Sequence, residues 1–471
     1  MVNRLSYAFN KAIYLLLKIV FKYKKKKPIK IDYHTWNVNV NQNDHLETGG
    51  CDCLELAEKY GTPLYVVDKK KLISNFQSFY KSFQNDTIQT EVYYSYKTNP
   101  VPGILKILHD QGAGAEVISF FELWLALNLG VSPNKIIFNG PYKPYKSIES
   151  AISHQIKLIN IDSFKEIVTI DEIAKNLGKK QDVSIRVSSK WGWTDKFGFK
   201  IENGEAFEAY KRCTQKKHIR IRGIHTHLGS GLSNIKAYIN AISSMTNLVK
   251  DIKEKLGIYI DYFDLGGGFG IATVKNFSLL ESLLYKLNVG YPSPPVIENF
   301  PTIDVTARRI IKHLGKECSR YNLKTPVLIL EPGRVITSSS QLLLLKAEVI
   351  KRDKKNLEIA VMNGGINFAY PTKWEFHEIF LANRMSENNH SIYDVAGPLC
   401  TPVDVMHKNR IMPQLKENDI VAIMDAGAYF IPFSFNFSFP KPAVVCVEEG
   451  RHYLMRHHES FEDMIKLDKI I

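Results

Sequence analysis

One lysine stands at the end of a run of strand-forming residues. The stretch VYYSYKTNP spans residues 92–100, and Lys97 follows its tyrosines and precedes Asn-Pro. A lysine that is held in place and partly desolvated is a usable amine for covalent chemistry with a carbonyl group. The alternative is a lysine whose charged head reaches solvent at the mouth of a domain. The residues at the ends of the other predicted strands decide between these two interpretations.

Three further segments carry groups that could hold an anion or a ring nitrogen. HTHLGSG (225–231) offers an imidazole and a hydroxyl, and DLGGGFG (264–270) offers glycines whose N–H groups can approach a phosphate closely. EPGR adds Glu331, which could keep a ring nitrogen protonated, and Arg334, which could bind phosphate. With the lysine, these groups describe a site for pyridoxal phosphate (PLP). A dinucleotide fingerprint is not matched, because Ile271 replaces its third glycine.

The elements that position these groups alternate between short apolar runs and longer helical patterns. Strand candidates are PLYVVD, EVYYSY, GAEVI, KIIFNG, IKLINID, DVSIRV, IRGIHTHLG, YFDLGGG and PVLILEPG. Repeated strand-helix alternation with polar residues at strand ends is typical of a (β/α)8 TIM-like barrel, which carries its chemistry at the carboxyl ends of its strands. We therefore predict an α/β protein in which residues 62–338 form a PLP-binding barrel.

The pattern changes from about residue 340. LLLLKAEVIKRDKKNLEIAVMNGG, NDIVAIMDAGAYF and PAVVCVEEGRHYLMR are typical of strands joined by turns. They predict a mainly antiparallel β-domain over residues 339–471. Residues 31–61 are expected to form strands that precede the barrel and join this β-domain.

The net charge of +14 is concentrated in the first thirty residues, which carry nine basic side chains and no acidic one. No nucleic-acid-binding motif accompanies them, so we expect no nucleic-acid partner. Residues 1–30 predict a basic amphipathic helix, and its lysines favour contact of residues 1–27 with an anionic membrane surface. The alternative is a helix that packs on the protein or on a partner. The expected location is cytoplasmic, with peripheral attachment to the inner face of the membrane.

The cysteines are spread thinly and form no disulfide framework, which indicates a reducing compartment. CDC (51–53) lacks a second nearby pair of Cys or His ligands. We therefore predict no metal site.

Residues 35–450 resemble the fold-type III PLP-dependent decarboxylases, the group that includes diaminopimelate, ornithine and arginine decarboxylases. YYSYKTNP is similar to the family motif Tyr-x-x-Lys-x-Asn, which implies that Lys97 forms the Schiff base with the cofactor. HTHLGSG resembles the segment in which His227 would stack on the pyridine ring and Ser230 would contact phosphate. The resemblance implies further cofactor contacts for Gly266, Gly267, Gly268, Glu331, Arg334, Tyr429, Arg186 and Glu116, the last standing where the family usually has aspartate.

In the second domain, GPLCTPVD resembles a loop that reaches into the active site of the partner subunit. This implies a homodimer with shared sites, in which Cys400 returns a proton to Cα and Asp404 contacts the substrate. The resemblance implies loss of the α-carboxylate through a quinonoid, with the ring nitrogen held by Glu331. Alanine racemases of this cofactor fold use arginine at that position, so decarboxylation is favoured over racemisation.

The substrate pocket departs from diaminopimelate decarboxylase. Thr401 and Pro402 replace the Glu-Ser that usually follows the cysteine, and Tyr370 stands where an arginine would bind a distal carboxylate. Cys-Thr-Pro-x-Asp resembles a branch that acts on aminoacyl groups tethered to carrier proteins, so such a substrate is the main expectation. A free amino acid, as in diaminopimelate decarboxylase, is the alternative. A catalytically silent PLP-binding regulator and a scaffold are also considered, but both Lys97 and Cys400 are present.

Overall fold

The computed structural model of the chain describes residues 31–192, 196–286, 292–352, 357–388 and 390–469. These residues divide into two compact units. The barrel unit comprises Leu72–Ile271 and Asn299–Ser338. The sheet unit draws its described residues from Met1–Lys71, Ala272–Glu298 and Ser339–Ile471. The amphipathic helix expected over residues 1–30 lies outside the described residues.

The barrel unit is built on eight parallel strands that close on themselves. In chain order they are Thr90–Ser95, Gly114–Val117, Ile136–Phe138, Leu158–Ile161, Gln181–Ser188, Ile219–His225, Tyr262–Asp264 and Val327–Leu330. Each strand pairs with the next along the chain, and Leu328 of the last strand pairs with Thr90 of the first, which closes the ring. A short strand, Phe199–Lys200, pairs in parallel with Gln181–Ser188 but is not one of the eight strands of the ring. The predicted (β/α)8 barrel is confirmed.

Amphipathic helices connect these strands. The connecting helices are Pro102–Asp110, Phe120–Asn128, Tyr145–His154, Phe164–Asn176, Glu205–Thr214, Ile235–Leu256 and Ile303–Arg320. The helix Lys69–Phe83 precedes the first strand, and Arg334–Thr337 follows the last. The start of Phe164–Asn176 shows the local cause, because the Ser163 side chain accepts a hydrogen bond from the N–H of Glu166 and so caps the helix. Its buried face is Ile167, Ile170 and Ile173, spaced for one side of a helix.

The sheet unit is mainly antiparallel, as expected. Its principal sheet contains Leu64–Asp68, Gln341–Arg352, Glu358–Met362, Ile379–Leu381, Ser391–Ala396, Val405–Met412, Ile420–Ile423, Ala443–Glu448 and Arg451–Arg456. Smaller sheets pair Asn39–Val40, Leu46–Thr48 and Cys51–Asp52, and separately Lys275–Asn276 with Glu375–Phe376. The helices of this unit are Cys53–Tyr60, Leu279–Lys286 and Phe461–Ile465.

Two segments lie outside the barrel that the sequence predicts over residues 62–338. PLYVVD, proposed as a barrel strand, forms Leu64–Asp68, which pairs antiparallel with Gln341–Arg352 and parallel with Ala443–Glu448. All its residues are buried, as they would be in a barrel strand or in the middle of the mixed sheet. Pairing with strands far along the chain therefore determines which sheet it joins. Residues 272–298 also belong to the sheet unit, through the pairing of Lys275 with Phe376.

Among the described residues, no helix is both long enough and apolar enough to cross a membrane.

Candidate active site

The barrel strands bring polar side chains together at their carboxyl ends. In chain order these buried residues are Ser95, Glu116, Asn139, Asn160, Arg186, His225, Asp264 and Glu331. Each lies within the last three residues of its strand or directly after it. Because parallel strands of a barrel end at the same face, the sequence concentrates its polar groups there, where this architecture carries its active sites.

Lys97 lies in the 3-10 turn Tyr96–Thr98 that follows the first barrel strand. Its Nζ donates to Oε2 of Glu116 at 2.5 Å, and the hydroxyl of Ser95 donates to the same oxygen at 2.6 Å. The Lys97 side chain is 27% exposed, whereas that of Glu116 is fully buried. The amine therefore lies at the border between a buried carboxylate and solvent, where an incoming group can reach it.

Glu116 and Glu331 are joined through one amide. Nδ2 of Asn139 donates to Oε1 of Glu116 at 2.8 Å and to Oε1 of Glu331 at 2.7 Å. The amine of Lys97 is thereby connected to Glu331 through hydrogen bonds that begin at Glu116.

Glu331 is surrounded by ionisable groups. Nε2 of His225 lies 3.6 Å from its Oε2, and both side chains are fully buried. Burial alone would raise the pKa of Glu331, but the positive charges of His225 and Lys97 lower it to about 2. Burial and the negative charge of Glu331 instead raise the pKa of Asp264 well above its usual value. Glu331 is therefore ionised at neutral pH, and Asp264 is the carboxyl group of this pair that gives up its proton less readily.

His227 is neutral at physiological pH. Its enclosure in the protein lowers its pKa to about 3, and the positive charges of Lys97 and Arg186 contribute in the same direction. Nδ1 accepts a hydrogen bond from the N–H of Gly267 at 3.3 Å, which ties the ring to the glycine segment. A neutral imidazole held in this way can stack on another aromatic ring.

The glycine segment Gly266–Gly268 passes too close to its neighbours for side chains. Gly266 and Gly268 have φ of 64° and 87°, and a Cβ on Gly267 would lie 2.3 Å from the carbonyl oxygen of Glu331. The N–H of Gly266 donates to Oδ1 of Asp264 at 2.8 Å, which fixes the turn that follows the strand. Such a backbone can approach an anion closely.

Ser230 and Arg334 lie side by side, because Nη2 of Arg334 is 3.5 Å from Oγ of Ser230. Arg186 is paired with Asp162 at 3.4 Å, and its guanidinium lies 4.3 Å from the centre of the Phe197 ring. Burial lowers the pKa of Arg186, while the charges of Asp162 and Glu331 oppose this shift. The Ser230 hydroxyl beside the buried guanidinium of Arg334 could bind a phosphate group.

The remaining predicted site residues belong to the sheet unit: Cys400, Thr401, Asp404, Tyr370 and Tyr429. Cys400 is exposed. Tyr370 packs against Trp374 at 5.1 Å between ring centres and near Phe433 at 6.0 Å, and Tyr429 lies 6.2 Å from the same phenylalanine. The two tyrosines therefore share one aromatic group.

The carboxylate of Asp404, the predicted substrate contact, accepts two hydrogen bonds from the backbone. Oδ1 accepts from the N–H of Ile366 and Oδ2 from the N–H of Leu399, both at 2.8 Å. The side chain is buried, and a Cβ on Gly365 or Gly397 would fall within 2.3 Å of it. Asp404 thus holds the loop that carries Cys400 against the segment before Tyr370. The predicted contact of Asp404 with the substrate stays a prediction.

The barrel residues fit pyridoxal phosphate. Oε2 of Glu331 is buried without a hydrogen-bond partner among the described residues, as a ring nitrogen would require of its acceptor. The glycine segment has no room for side chains and can approach a phosphate, which the adjacent hydroxyl and guanidinium of Ser230 and Arg334 can bind. Lys97 supplies a reachable amine beside them.

Sequence reasoning missed Asn139 and Asn160 and gave no role to His225 or Asp264, although it quoted the segments that contain them. The available signal was position, because each lies at the carboxyl end of a predicted barrel strand. A neutral amide at such a position carries no recognisable chemistry of its own.

Comparisons with known proteins identify the family. Residues 69–338 match the model of the pyridoxal-dependent decarboxylases, pyridoxal binding domain. The chain belongs to the pyridoxal-dependent decarboxylases. It is 30% identical to the diaminopimelate decarboxylase of Methanothermobacter thermautotrophicus over 444 residues, which cover 91% of this chain and 97% of the relative. The corresponding enzyme of Bacillus subtilis is 29% identical and covers 91% of this chain and 96% of its own.

Solved structures agree with this assignment. The crystal structure of diaminopimelate decarboxylase from Methanocaldococcus jannaschii matches with a TM-score of 0.82 and 29% identity, covering 92% of this chain and 98% of that one. A second structure of that decarboxylase, in complex with L-lysine, matches with the same values. This decarboxylase is therefore a PLP-dependent carboxy-lyase that takes pyridoxal phosphate as its cofactor.

Proposed function

We propose that this decarboxylase removes the α-carboxylate of a free amino acid, with diaminopimelate as the first substrate to test. The observation that carries the chemical part is the hydrogen-bonded connection from Lys97 to the ionised Glu331 at the carboxyl end of the barrel. The substrate part rests on relatives named as diaminopimelate decarboxylases, which align over nearly their full length. That similarity favours a free amino acid over the carrier-linked substrate expected from the sequence.

Bound pyridoxal phosphate supplies an electron sink for the pair of electrons left when CO2 departs. Lys97 would hold the cofactor covalently through its amine, which a substrate amino group would replace. Glu331 would accept a hydrogen bond from the protonated ring nitrogen and so keep the proton on that nitrogen, which requires the carboxylate to be ionised. Its pKa of about 2 meets this requirement.

The other barrel residues hold the cofactor in place. His227, neutral because of its lowered pKa, offers a flat face to the ring. Gly266, Gly267 and Gly268, with Ser230 and Arg334, are assigned to the phosphate. Glu116 keeps the Lys97 amine directed into the site through the 2.5 Å contact.

In the sheet unit, the exposed thiol of Cys400 is the proposed donor of the proton to Cα, and Lys97 would then displace the product amine. A Cys400→Ala variant that forms the amine at an unchanged rate and with unchanged fidelity would remove Cys400 from this role.

Borohydride reduction tests the assignment of Lys97. Reduction of the cofactor-loaded enzyme should attach the cofactor permanently to Lys97, which peptide mass analysis would locate. Attachment at any other lysine would contradict the proposal. Lys157 offers an internal comparison. Its Nζ also lies 2.5 Å from a carboxylate, that of Glu91, but Lys157 precedes the strand Leu158–Ile161 and so lies at the opposite end of the barrel strands, where it should remain unmodified.

A panel of substrates tests the proposed specificity. CO2 release should be measured with diaminopimelate, lysine, ornithine and glutamate at equal concentration, and turnover of diaminopimelate is expected to be highest. Turnover of none of them by enzyme that carries a full complement of cofactor would overturn the free-amino-acid assignment.

A carrier-linked aminoacyl substrate is the second candidate. It is favoured by Thr401 and Pro402 after the cysteine and by Tyr370, which places an aromatic group rather than a charge in its segment. A tethered substrate would need no charged group for its distal end. Release of CO2 from an aminoacyl carrier protein, but not from the free amino acids, would favour this candidate.

A further inference from the structure

Asn139 contacts both carboxylates of the barrel site. It directly follows the strand Ile136–Phe138, and only 4% of its surface is exposed. Its Nδ2 carries two hydrogens and lies 2.8 Å from an oxygen of Glu116 and 2.7 Å from an oxygen of Glu331. One N–H can therefore serve each carboxylate.

A second amide fixes the orientation of the first. Nδ2 of Asn160, on the next barrel strand, donates to Oδ1 of Asn139. If the Asn139 amide were reversed, its oxygen would face two carboxylate oxygens and the two N–H groups would face another donor. The contacts therefore set which end of the Asn139 amide points at Glu116 and Glu331.

The Asn139 amide offsets the repulsion between two buried carboxylates. Glu116 and Glu331 are buried, and each has an oxygen within hydrogen-bond distance of the same nitrogen, so their charges repel each other at close range. A buried acceptor that loses its hydrogen-bond donor is destabilised, and a charged acceptor more so than a neutral one. A donor shared between the two carboxylates offsets the repulsion without adding a charge that would compete with Lys97.

We propose that Asn139 is a positioning residue for decarboxylation, which keeps Glu116 and Glu331 in place together and so couples the Lys97 end of the site to the ring-nitrogen end. This inference rests on the proposed roles of Lys97 and Glu331. Neither the resemblance to the family motifs nor the strand-end chemistry predicted from the sequence assigned a role to Asn139.

The test compares Asn139→Ala and Asn139→Asp with the wild-type holoenzyme. The measurement is the pH midpoint at which the visible absorbance of the lysine-bound cofactor changes. Loss of the donor leaves more negative potential at Glu116, and the aspartate adds a third negative charge. Both changes favour a positive charge at Lys97, so the midpoint should rise by about one pH unit or more, and further in Asn139→Asp than in Asn139→Ala. The kcat of both variants should fall at least about tenfold.

Ser184→Ala is the matched control. Ser184 is fully buried in the same barrel, and its Oγ has no hydrogen-bond partner among the described residues. Its removal should leave the absorbance midpoint and kcat unchanged. Asn139→Ser keeps one donor in place of two and should give an intermediate midpoint, so the inference stays testable if the aspartate variant does not fold.

Two outcomes separate this inference from the proposed function. If borohydride attaches the cofactor to another lysine in the wild type, the proposed function fails. If Lys97 is labelled but the Asn139 variants keep the wild-type midpoint and kcat, as Ser184→Ala does, Asn139 is a structural residue only and the inference is overturned.

Discussion

Glu331 stays ionised in a place where burial alone would favour its neutral form. Glu331→Gln keeps the shape of the side chain but removes the charge that would hold a ring proton. We expect kcat for decarboxylation to fall at least about a hundredfold, while the enzyme still binds its cofactor at Lys97. Turnover and cofactor content should be measured on the same preparation.

Asp264→Asn is the control for this prediction. The pKa of Asp264 is raised by burial and by the charge of Glu331, so the substitution removes the carboxyl group of the pair that ionises less readily. It should cost much less activity than Glu331→Gln. Equal losses in the two variants would contradict the distinct roles assigned to the two carboxyl groups.

Individual residues differ in how far the sequence reveals them. Lys97, His227 and Glu331 could be predicted because their side chains have distinctive chemistry and occur in recognisable motifs. Asn139 could not, because its role depends on two carboxylates that lie on other strands. Asp404 illustrates the same limit, since the backbone groups that it binds come together only in the folded sheet unit.

At the scale of an element, the turn Gly266–Gly268 should depend on the absence of side chains. Gly268 has φ of 87°, and a Cβ there would lie 2.5 Å from the carbonyl oxygen of Gly229. Gly268→Ala should therefore distort the turn and weaken cofactor binding at least about tenfold, which an absorbance titration would measure.

Gly315→Ala offers the comparison. Gly315 lies in the helix Ile303–Arg320, and an added Cβ would meet nothing within 4 Å. Alanine should stabilise this helix by up to about 1 kcal/mol and leave cofactor affinity unchanged. Unchanged cofactor affinity in Gly268→Ala would contradict the assignment of this turn to the phosphate.

The helix Phe120–Asn128 begins with an acid that titrates near neutral pH. The Glu122 carboxylate accepts the N–H of Ile118 at 2.8 Å, while its own N–H donates to Ser119. Burial, and then the charge of Glu116, raise its pKa from 4.5 to about 7. The folded chain thus retains a proton that the unfolded chain loses, so this group makes the protein less stable as pH rises from about 4.5 to about 7.

Glu122→Gln retains the acceptor oxygen and removes the titration. Relative to this variant, the wild type should lose about 3 kcal/mol of unfolding free energy across that pH range. Denaturant unfolding of both proteins at several pH values would measure the difference. A difference that does not vary with pH would contradict the raised pKa.

For the whole molecule, the sequence revealed the barrel because strand and helix signals alternate in chain order and neighbouring strands pair in that same order. The sequence did not reveal that the strand Leu64–Asp68 belongs to the sheet unit and not to the barrel. A short, fully buried apolar strand looks the same in a parallel barrel and in the middle of a mixed sheet. Its partners are supplied by Gln341–Arg352 and Ala443–Glu448, far along the chain.

The proposed homodimer with shared active sites predicts complementation between inactive subunits. Lys97 and Glu331 belong to the barrel unit, and Cys400 belongs to the sheet unit. If Cys400 serves the barrel of the partner, a mixed dimer of Lys97→Ala and Cys400→Ala chains contains one site with both residues intact. Mixing the two inactive proteins under conditions that allow subunit exchange should therefore restore part of the activity.

Lys97→Ala mixed with Glu331→Gln is the negative control, because each barrel of that mixed dimer lacks one essential residue. No activity should return. Failure of the Lys97→Ala and Cys400→Ala mixture to regain activity, with subunit exchange demonstrated by differently tagged chains, would mean that Cys400 does not act in the partner's site. Recovery of activity in the Lys97→Ala and Cys400→Ala mixture, with none in the control mixture, would establish that catalysis requires two copies of the chain.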